Sequence, residues 1–302
     1  MQRIISIVGP TASGKTAMAV KLAQLVDGEV VSVDSMQIYR GMDIGTAKPD
    51  KEEMEGVVHH MIDVADPDEN YSLERFATRA HEIIKDIGAR GKVPILAGGT
   101  GLYMDTIVNN ISLSQDSFDP RIREELMAEA EREGKEKMYE MLKEIDPEAA
   151  KKLHPNDVKR VIRALEIYRA TGITKTEQDK KSKNTEKIYD CLSFGLYMDR
   201  KILYNRINMR VDLMVEKGLI DEVASLDIKG TSLQGVGYKE ILYYLNGLAT
   251  KDEALSILKK ETRHLAKRQM TWFSKNDSIM WLDATKPAEE LAEIAKREFY
   301  RE

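Results

Sequence analysis

The sequence predicts an α/β fold, a parallel sheet flanked by helices, and three observations carry that prediction. Short apolar runs rich in β-branched residues stand at Arg3–Val8, Glu29–Asp34 and Val93–Ala97. Helical patterns lie between them, and glycine-rich turns follow the first and the third. Strands linked by helices need crossover connections, and near-continuous apolar runs suit strands buried on both faces.

Arg3–Val8 (RIISIV) is the first strand, broken by Gly9–Thr16 and followed by the helical stretch Ala17–Leu25. Glu29–Asp34 (EVVSVD) is a second strand ending on an acid. From Ser72, the positions Leu73, Phe76, Ala80, Ile83, Ile84 and Ile87 keep helical spacing, and Gly91 stops the run. Val93–Ala97 leads into Gly98-Gly99-Thr100-Gly101 and a new helix. After about Asn110 the character changes. Asp119–Glu144 and Asn156–Ala170 read as charged helices without strands between them, and lysine-rich Thr174–Lys187 as a connector or a charged helix end. Ile188–Met198 returns to strand character. Helices near Arg200–Lys217, Tyr238–Asn246 and Lys251–Phe273 follow, then a strand at Ser278–Leu282 and a terminal helix. Residues 1–110 and 188–302 are therefore expected to build one core, with 111–187 a mostly helical insertion.

With 302 residues, 42% apolar and 32% charged, the chain suits a globular protein with long amphipathic helices. A net charge of −5 argues against a uniformly basic nucleic-acid coat but leaves room for a local basic surface. The single cysteine, Cys191, cannot form an internal disulfide, and it reads as a small buried strand residue. No apolar stretch approaches the roughly 20 residues that span a bilayer. The apolar run before Gly9 is too short for a secretory signal, so a cytoplasmic protein without membrane contact is expected; a monomer is also expected.

Gly9-Pro10-Thr11-Ala12-Ser13-Gly14-Lys15-Thr16 fits G-x-x-x-x-G-K-[ST] between a strand and a helix, which makes the expected fold a P-loop-type parallel sheet. Its glycines let successive N–H groups point inward at phosphate oxygens. The helix start adds partial positive charge, Lys15 a full one, and the Thr16 hydroxyl is a Mg²⁺ ligand candidate. Asp34 should emerge at the carboxyl edge of the sheet, where an acid can hold Mg²⁺ through water, accept a substrate proton or cap a turn. The third run ends in glycines instead of an acid, which suits close approach of a bulky substrate and group transfer over hydrolysis-driven movement. His59-His60 do not suggest zinc, because neighbouring strand side chains point to opposite faces.

Several segments together resemble the tRNA dimethylallyltransferase (tRNA isopentenyltransferase) family. They are GPTASGKT (Gly9–Thr16), VDSMQIY (Val33–Tyr39), GMDIGTAKP (Gly41–Pro49), HHMID (His59–Asp63) and GGTGLY (Gly98–Tyr103). NDVKRVIRALE (Asn156–Glu166), RVDLMVEKGLIDEV (Arg210–Val223) and KRQMTWF (Lys267–Phe273) complete the set, in the family's order over roughly residues 1–275. The resemblance implies transfer of a dimethylallyl group from dimethylallyl diphosphate to N6 of the adenosine just 3′ of the anticodon in tRNA. The loop Gly9, Pro10, Thr11, Ala12, Ser13, Gly14, Lys15 and Thr16 would grip the departing diphosphate, with Mg²⁺ on Thr16 and no nucleoside triphosphate required. Asp34 would be the general base, and Arg210 would approach the diphosphate.

On the RNA side the resemblance implies contacts from Asp34, Ser35, Met36, Gln37 and Thr100 to a swung-out adenosine and its neighbours. It adds Arg123 and the helix segment Lys159, Arg160, Val161, Ile162 and Arg163. Within that segment Val158, Val161, Ile162, Leu165 and Tyr168 form an apolar stripe, so Lys159, Arg160 and Arg163 are the outward groups. Lys159 stands where the family often has glutamine, exchanging amide readout for a point charge. The clusters Lys180, Lys181, Lys183 and Lys187, and Lys259, Lys260, Arg263, Lys267 and Arg268, could track phosphates. Three other readings share the loop: an ATP-dependent small-molecule kinase, a prenyltransferase of free adenine nucleotides, and a non-catalytic RNA-binding module. The basic helical middle region and GGTGLY speak against the kinase, and joint retention of Lys15, Thr16 and Asp34 against lost catalysis.

Overall fold

The computed structural model describes residues 1–112, 119–182 and 186–301. In chain order, β1 (Gln2–Val8) runs into the glycine loop and α1 (Lys15–Val26), then β2 (Gly28–Ser32) and the short β3 (His59–His60). Helix α2 (Leu73–Ala89), β4 (Val93–Gly98) and α3 (Gly101–Val108) follow. Five helices come next: α4 (Pro120–Glu133), α5 (Lys135–Ile145), α6 (Pro147–Ala150), α7 (Val158–Thr171) and α8 (Lys175–Ser182). The chain then forms β5 (Tyr189–Tyr197), α9 (Arg200–Glu216), α10 (Leu219–Ser225), α11 (Tyr238–Leu245), α12 (Lys251–Phe273), β6 (Ile279–Asp283) and α13 (Ala288–Phe299).

Among the described residues six parallel strands line up in the order β3-β2-β4-β1-β5-β6. Alternation along β1 explains its apolar run: Ile4 and Val8 feed one core, Ile5 and Ile7 the other. On the first face lie Phe76 and Ile84 of α2, Met104 of α3 and Val211 of α9. The opposite face is covered by Met18 and Leu22 of α1 and Leu291 and Ala295 of α13. Because β1 pairs with β4 on one side and β5 on the other, the winding reverses at β1. Such a reversal leaves a crevice at the carboxyl ends of the strands. The glycine loop opens there.

Residues divide into two compact units, Met1–Val108 with Ile188–Glu302, and Asn109–Lys187. The second unit has a core of its own, built on Leu126, Met138, Leu142, Val161 and Leu165. Among the described residues no helix is long and apolar enough to cross a membrane.

Local chemistry sets the element ends. Ser72 caps α2 by accepting from the Arg75 N–H, and Thr250 with Glu253 forms a capping box at α12. The charged stretch read as one helix over Asp119–Glu144 is two, because Gly134 takes a φ of 88° between α4 and α5. Lysine-rich 174–187 holds the short helix α8 rather than a bare connector, its start fixed by Thr174 and Glu177; Lys183 lies outside the described residues. Helix α10, missed in the sequence, follows Gly218 after α9.

Candidate active site

The ends of β1, β2 and β4, with residues of α9, α11 and α12, meet around one cavity of about 490 Å³ in the first unit. Thr11, Ala12, Ser13, Gly14, Lys15 and Thr16 form one side, and Asp34, Met36 and Gln37 another. Gly45–Ala47, Gly98, Gly99, Arg206, Arg210, Tyr238, Leu258 and Gln269 complete most of the wall. Strand β4 lies between β1 and β2, so the loop after β1 and the acid after β2 flank the glycine turn after β4.

The loop curls through two positive φ angles, 63° at Ala12 and 89° at Gly14, before α1 begins at Lys15. Gly9 and Pro10 do not line the cavity. A Cβ on Gly9 would sit 2.8 Å from the Leu196 carbonyl, so glycine there lets the loop root against β5. The Pro10 carbonyl accepts from Lys15 Nζ at 2.8 Å. Burial pushes the Lys15 ammonium down to about 8, and the Arg210 guanidinium adds to the effect while Asp34 opposes it. Burial likewise lowers Arg210, against attraction from Glu53 and Asp34. Ser13 is 2% exposed, and its Oγ has no hydrogen-bond partner among the described residues. A buried unpartnered hydroxyl costs stability unless something satisfies it. Two cations and an orphaned hydroxyl at a helix start make a site for an anion with several oxygens.

Asp34 stands two residues past the end of β2, not on it, because its side chain organises a turn. Asp34 Oδ1 accepts from the Met36 N–H at 2.8 Å and the Gln37 N–H at 3.3 Å. Ser35 turns out of the cavity wall and donates its N–H to Thr100 Oγ1 at 3.2 Å, so Thr100 supports the acid's turn. Gln37 donates to the carbonyls of Thr46 and Ala47 and accepts from Ser32. The glycine pair after β4 accommodates the chain itself: a Cβ on Gly98 would meet the Val33 carbonyl at 2.0 Å, and one on Gly99 the Gln269 amide at 2.2 Å.

In the second unit, Arg123 and Arg163 both donate to Glu166 at 2.8 Å, a carboxylate whose side chain is 4% exposed. Burial would raise Glu166, but the two guanidiniums hold it below its ordinary value. Lys159 and Arg160 face out, Arg160 with Asp157 at 3.4 Å. Val161 and Ile162, on the apolar stripe, are 1% and 5% exposed and belong to the core, so any contact they make with RNA would be through their backbone. Tyr168, assigned to the buried stripe, is 38% exposed at the end of α7. Of the other basic groups, Lys180 pairs with Glu148, Lys259 with Asp212, and Arg263 with Asn208, whereas Lys260, Lys267 and Arg268 are exposed.

Gln269, Glu222, Arg206 and Tyr238 were not singled out in the sequence, though Gln269 and Glu222 sit inside motifs quoted above. Gln269 accepts from the Thr11 N–H at 2.8 Å and donates to the Gly99 carbonyl at 3.1 Å. Glu222 accepts from three successive N–H groups, Asp43 at 3.0 Å, Ile44 at 2.6 Å and Gly45 at 3.0 Å, and from the Tyr238 hydroxyl at 2.7 Å. Among the described residues no group of three or more His, Cys, Asp or Glu could hold a metal. His60 bonds Glu29, and His59 the Val57 carbonyl.

Fold and cavity define a P-loop-like α/β enzyme with a helical insertion. The family model described as IPP transferase matches residues 37–276. A tRNA dimethylallyltransferase of Caldanaerobacter subterraneus subsp. tengcongensis is 50% identical, covering 96% of this chain and 95% of its own. That of Acetivibrio thermocellus is 48% identical, covering 94% and 92%. The crystal structure of the Bacillus halodurans tRNA isopentenylpyrophosphate transferase superposes with a TM-score of 0.73 at 42% identity, covering 99% of this chain and 97% of that one. A eukaryotic dimethylallyltransferase captured acting on tRNA gives 0.81 at 33% identity, covering 99% and 78%. The chain belongs to the tRNA dimethylallyltransferase (IPP transferase) family.

Proposed function

We propose that this enzyme transfers a dimethylallyl group from dimethylallyl diphosphate to N6 of the adenosine just 3′ of the anticodon in tRNA, and that it does so in the cavity at the carboxyl ends of the strands. The observation that carries the reading is the meeting of Lys15, Thr16, Arg210 and Asp34 on one cavity, in a chain of this family. The adenosine N6 attacks the terminal allylic carbon, the carbon–oxygen bond breaks, and the diphosphate leaves with the electron pair. Lys15, Arg210, the loop N–H groups and the Ser13 and Thr11 hydroxyls take up the charge that develops on the departing oxygen. Asp34, held by two N–H bonds on Oδ1, offers Oδ2 to the N6 proton.

The hard oxygen donors present suit Mg²⁺, which takes few protein ligands and several from phosphate and water. Thr16 would hold it, and bound there it would neutralise diphosphate charge. The target base must leave its stack to reach the cavity, where Met36 and Gln37 on the wall, with the turn at Thr100 behind Asp34, would receive it. Lys159, Arg160, Arg163 and Arg123 supply positive charge for the RNA backbone. The proposed setting is a monomer working in the cytoplasm, where tRNA is found. The test mixes the protein with Mg²⁺, dimethylallyl diphosphate and unmodified tRNA, then weighs the digested nucleosides. One isopentenyl gain on the adenosine next to the anticodon supports the reading; unmodified nucleosides, or, in a parallel reaction with AMP in place of tRNA, transfer to AMP alone, reject it.

A further inference from the structure

Gln269 joins two loops that are far apart in sequence and serve different substrates in the proposed reaction. Its Oε1 accepts from the backbone N–H of Thr11, inside the phosphate loop. Its Nε2 donates to the carbonyl of Gly99, in the turn after β4. An amide is suited to this, having one accepting and one donating end in a planar unit. The next residue, Thr100, accepts through Oγ1 from the Ser35 N–H, immediately beside Asp34. An unbroken chain of contacts therefore runs from the diphosphate loop through Gln269 and the glycine turn to the acid's turn. Gly99 has no room for a side chain, since a Cβ would lie 2.2 Å from Nε2 of Gln269.

We propose that Gln269 is a positioning residue that couples binding of the diphosphate to binding of the RNA acceptor. The inference rests on the function proposed above. A diphosphate settling into the loop fixes Thr11. Through Gln269 that ordering extends to Gly99 and Thr100, so the acceptor-side turn has less freedom left to lose when the RNA loop arrives. A ligand that pre-orders part of another ligand's site raises the second affinity, and the effect is reciprocal.

The experiment uses the full chain with two non-reacting probes, inorganic diphosphate with Mg²⁺ and an anticodon stem-loop RNA. RNA affinity is measured by fluorescence anisotropy with and without saturating diphosphate, and diphosphate affinity by calorimetry with and without RNA. In the unaltered protein each ligand is expected to tighten the other by the same factor, about five-fold or more. In Gln269→Ala that factor falls to within two-fold of unity. Gly99→Ala breaks the clasp from its other end by displacing the amide, and gives the same loss of coupling with Gln269 intact. Equal affinities with and without the second ligand in the unaltered protein overturn the proposal, and so does full coupling in either variant. A variant whose separate affinities collapse overturns it too, assigning Gln269 to one binding wall alone. Failure of the unaltered protein to bind either probe removes the underlying functional reading, and the proposal with it.

Discussion

Arg210 Nη1 donates to the Thr11 hydroxyl at 3.2 Å, bringing a helix residue 199 positions downstream onto the phosphate loop. Helix α9 is carried there by its packing on the sheet, where Val211 joins the same core as Val8. The loop thus draws on a residue far downstream, and Lys15, Arg206 and Arg210 share one cavity with Asp34 and Glu53.

This crowding gives diphosphate binding a pH dependence. Lys15, lowered to about 8 from 10.5, is protonated below that value and neutral above it in the free protein. The unfolded chain binds more protons than the folded one between about 8 and 10.5, so this group's contribution to stability rises with pH across that window. Binding behaves oppositely. A diphosphate needs the charged form, so its affinity should weaken as pH climbs past 8, with uptake of up to one proton per binding event. Calorimetry at pH 8.5 in buffers of different ionisation enthalpy measures that proton, and in Lys15→Met it should vanish.

Asp34→Asn separates the acid's two jobs. The amide oxygen still accepts from Met36 and Gln37, so the turn survives, but the group no longer takes a proton. Turnover should fall by about 10²–10⁴-fold, with tRNA affinity nearly unchanged. Single-turnover rates beside filter-binding affinities check this; near-normal turnover would remove Asp34 from the role of base.

Glu222 anchors the loop that forms the wall facing Gln37. Glu222→Ala leaves three consecutive N–H groups and the Tyr238 hydroxyl without their common acceptor. A loss of about 2–3 kcal/mol in denaturant titration is expected, as for other hydrogen bonds to a charged group. Tyr238→Phe, which removes one of the four contacts, should cost about 1 kcal/mol.

Gly45 presses on the ring of Tyr238, where an added Cβ would sit 2.6 Å from Cε2. Since Tyr238 is fully buried, the ring has little space to yield. Gly45→Ala should therefore destabilise the protein by about 1–3 kcal/mol and narrow the cavity. Thermal unfolding and the KM for dimethylallyl diphosphate report the two effects separately.

Arg160 and Arg163 differ in a way one sequence motif does not reveal. Arg160 is exposed beside Asp157, whereas Arg163 helps hold Glu166 in the core of the helical unit. Arg160→Ala should weaken RNA binding and make the salt slope shallower by about 0.7, leaving stability unchanged. Arg163→Ala should also lower the unfolding midpoint. Affinities at several salt concentrations, beside urea titrations, distinguish them.

The strands, the loop and the helical insertion were legible in the sequence because each rests on local chemistry. β-Branched runs, G-x-x-x-x-G-K-T and capping residues act within a few positions, and so did the family motifs that named Lys15, Thr16 and Asp34. Asp34 ended the apolar run in the sequence, yet the strand stops at Ser32, since the side chain's pull on two N–H groups starts the turn earlier. Val161 and Ile162 were legible as part of an apolar stripe, but which helices cover that stripe, α4 and α5 against α7, only the packing shows. The reach of Gln269 to Thr11 and Gly99, and of Glu222 to residues 43–45, spans roughly half the chain or more. No local signal encodes such pairs. Sequence determined which residues carry charge, turn and strand, and the tertiary structure decided which of them meet, because long-range contacts exist only once the sheet has brought its carboxyl ends together.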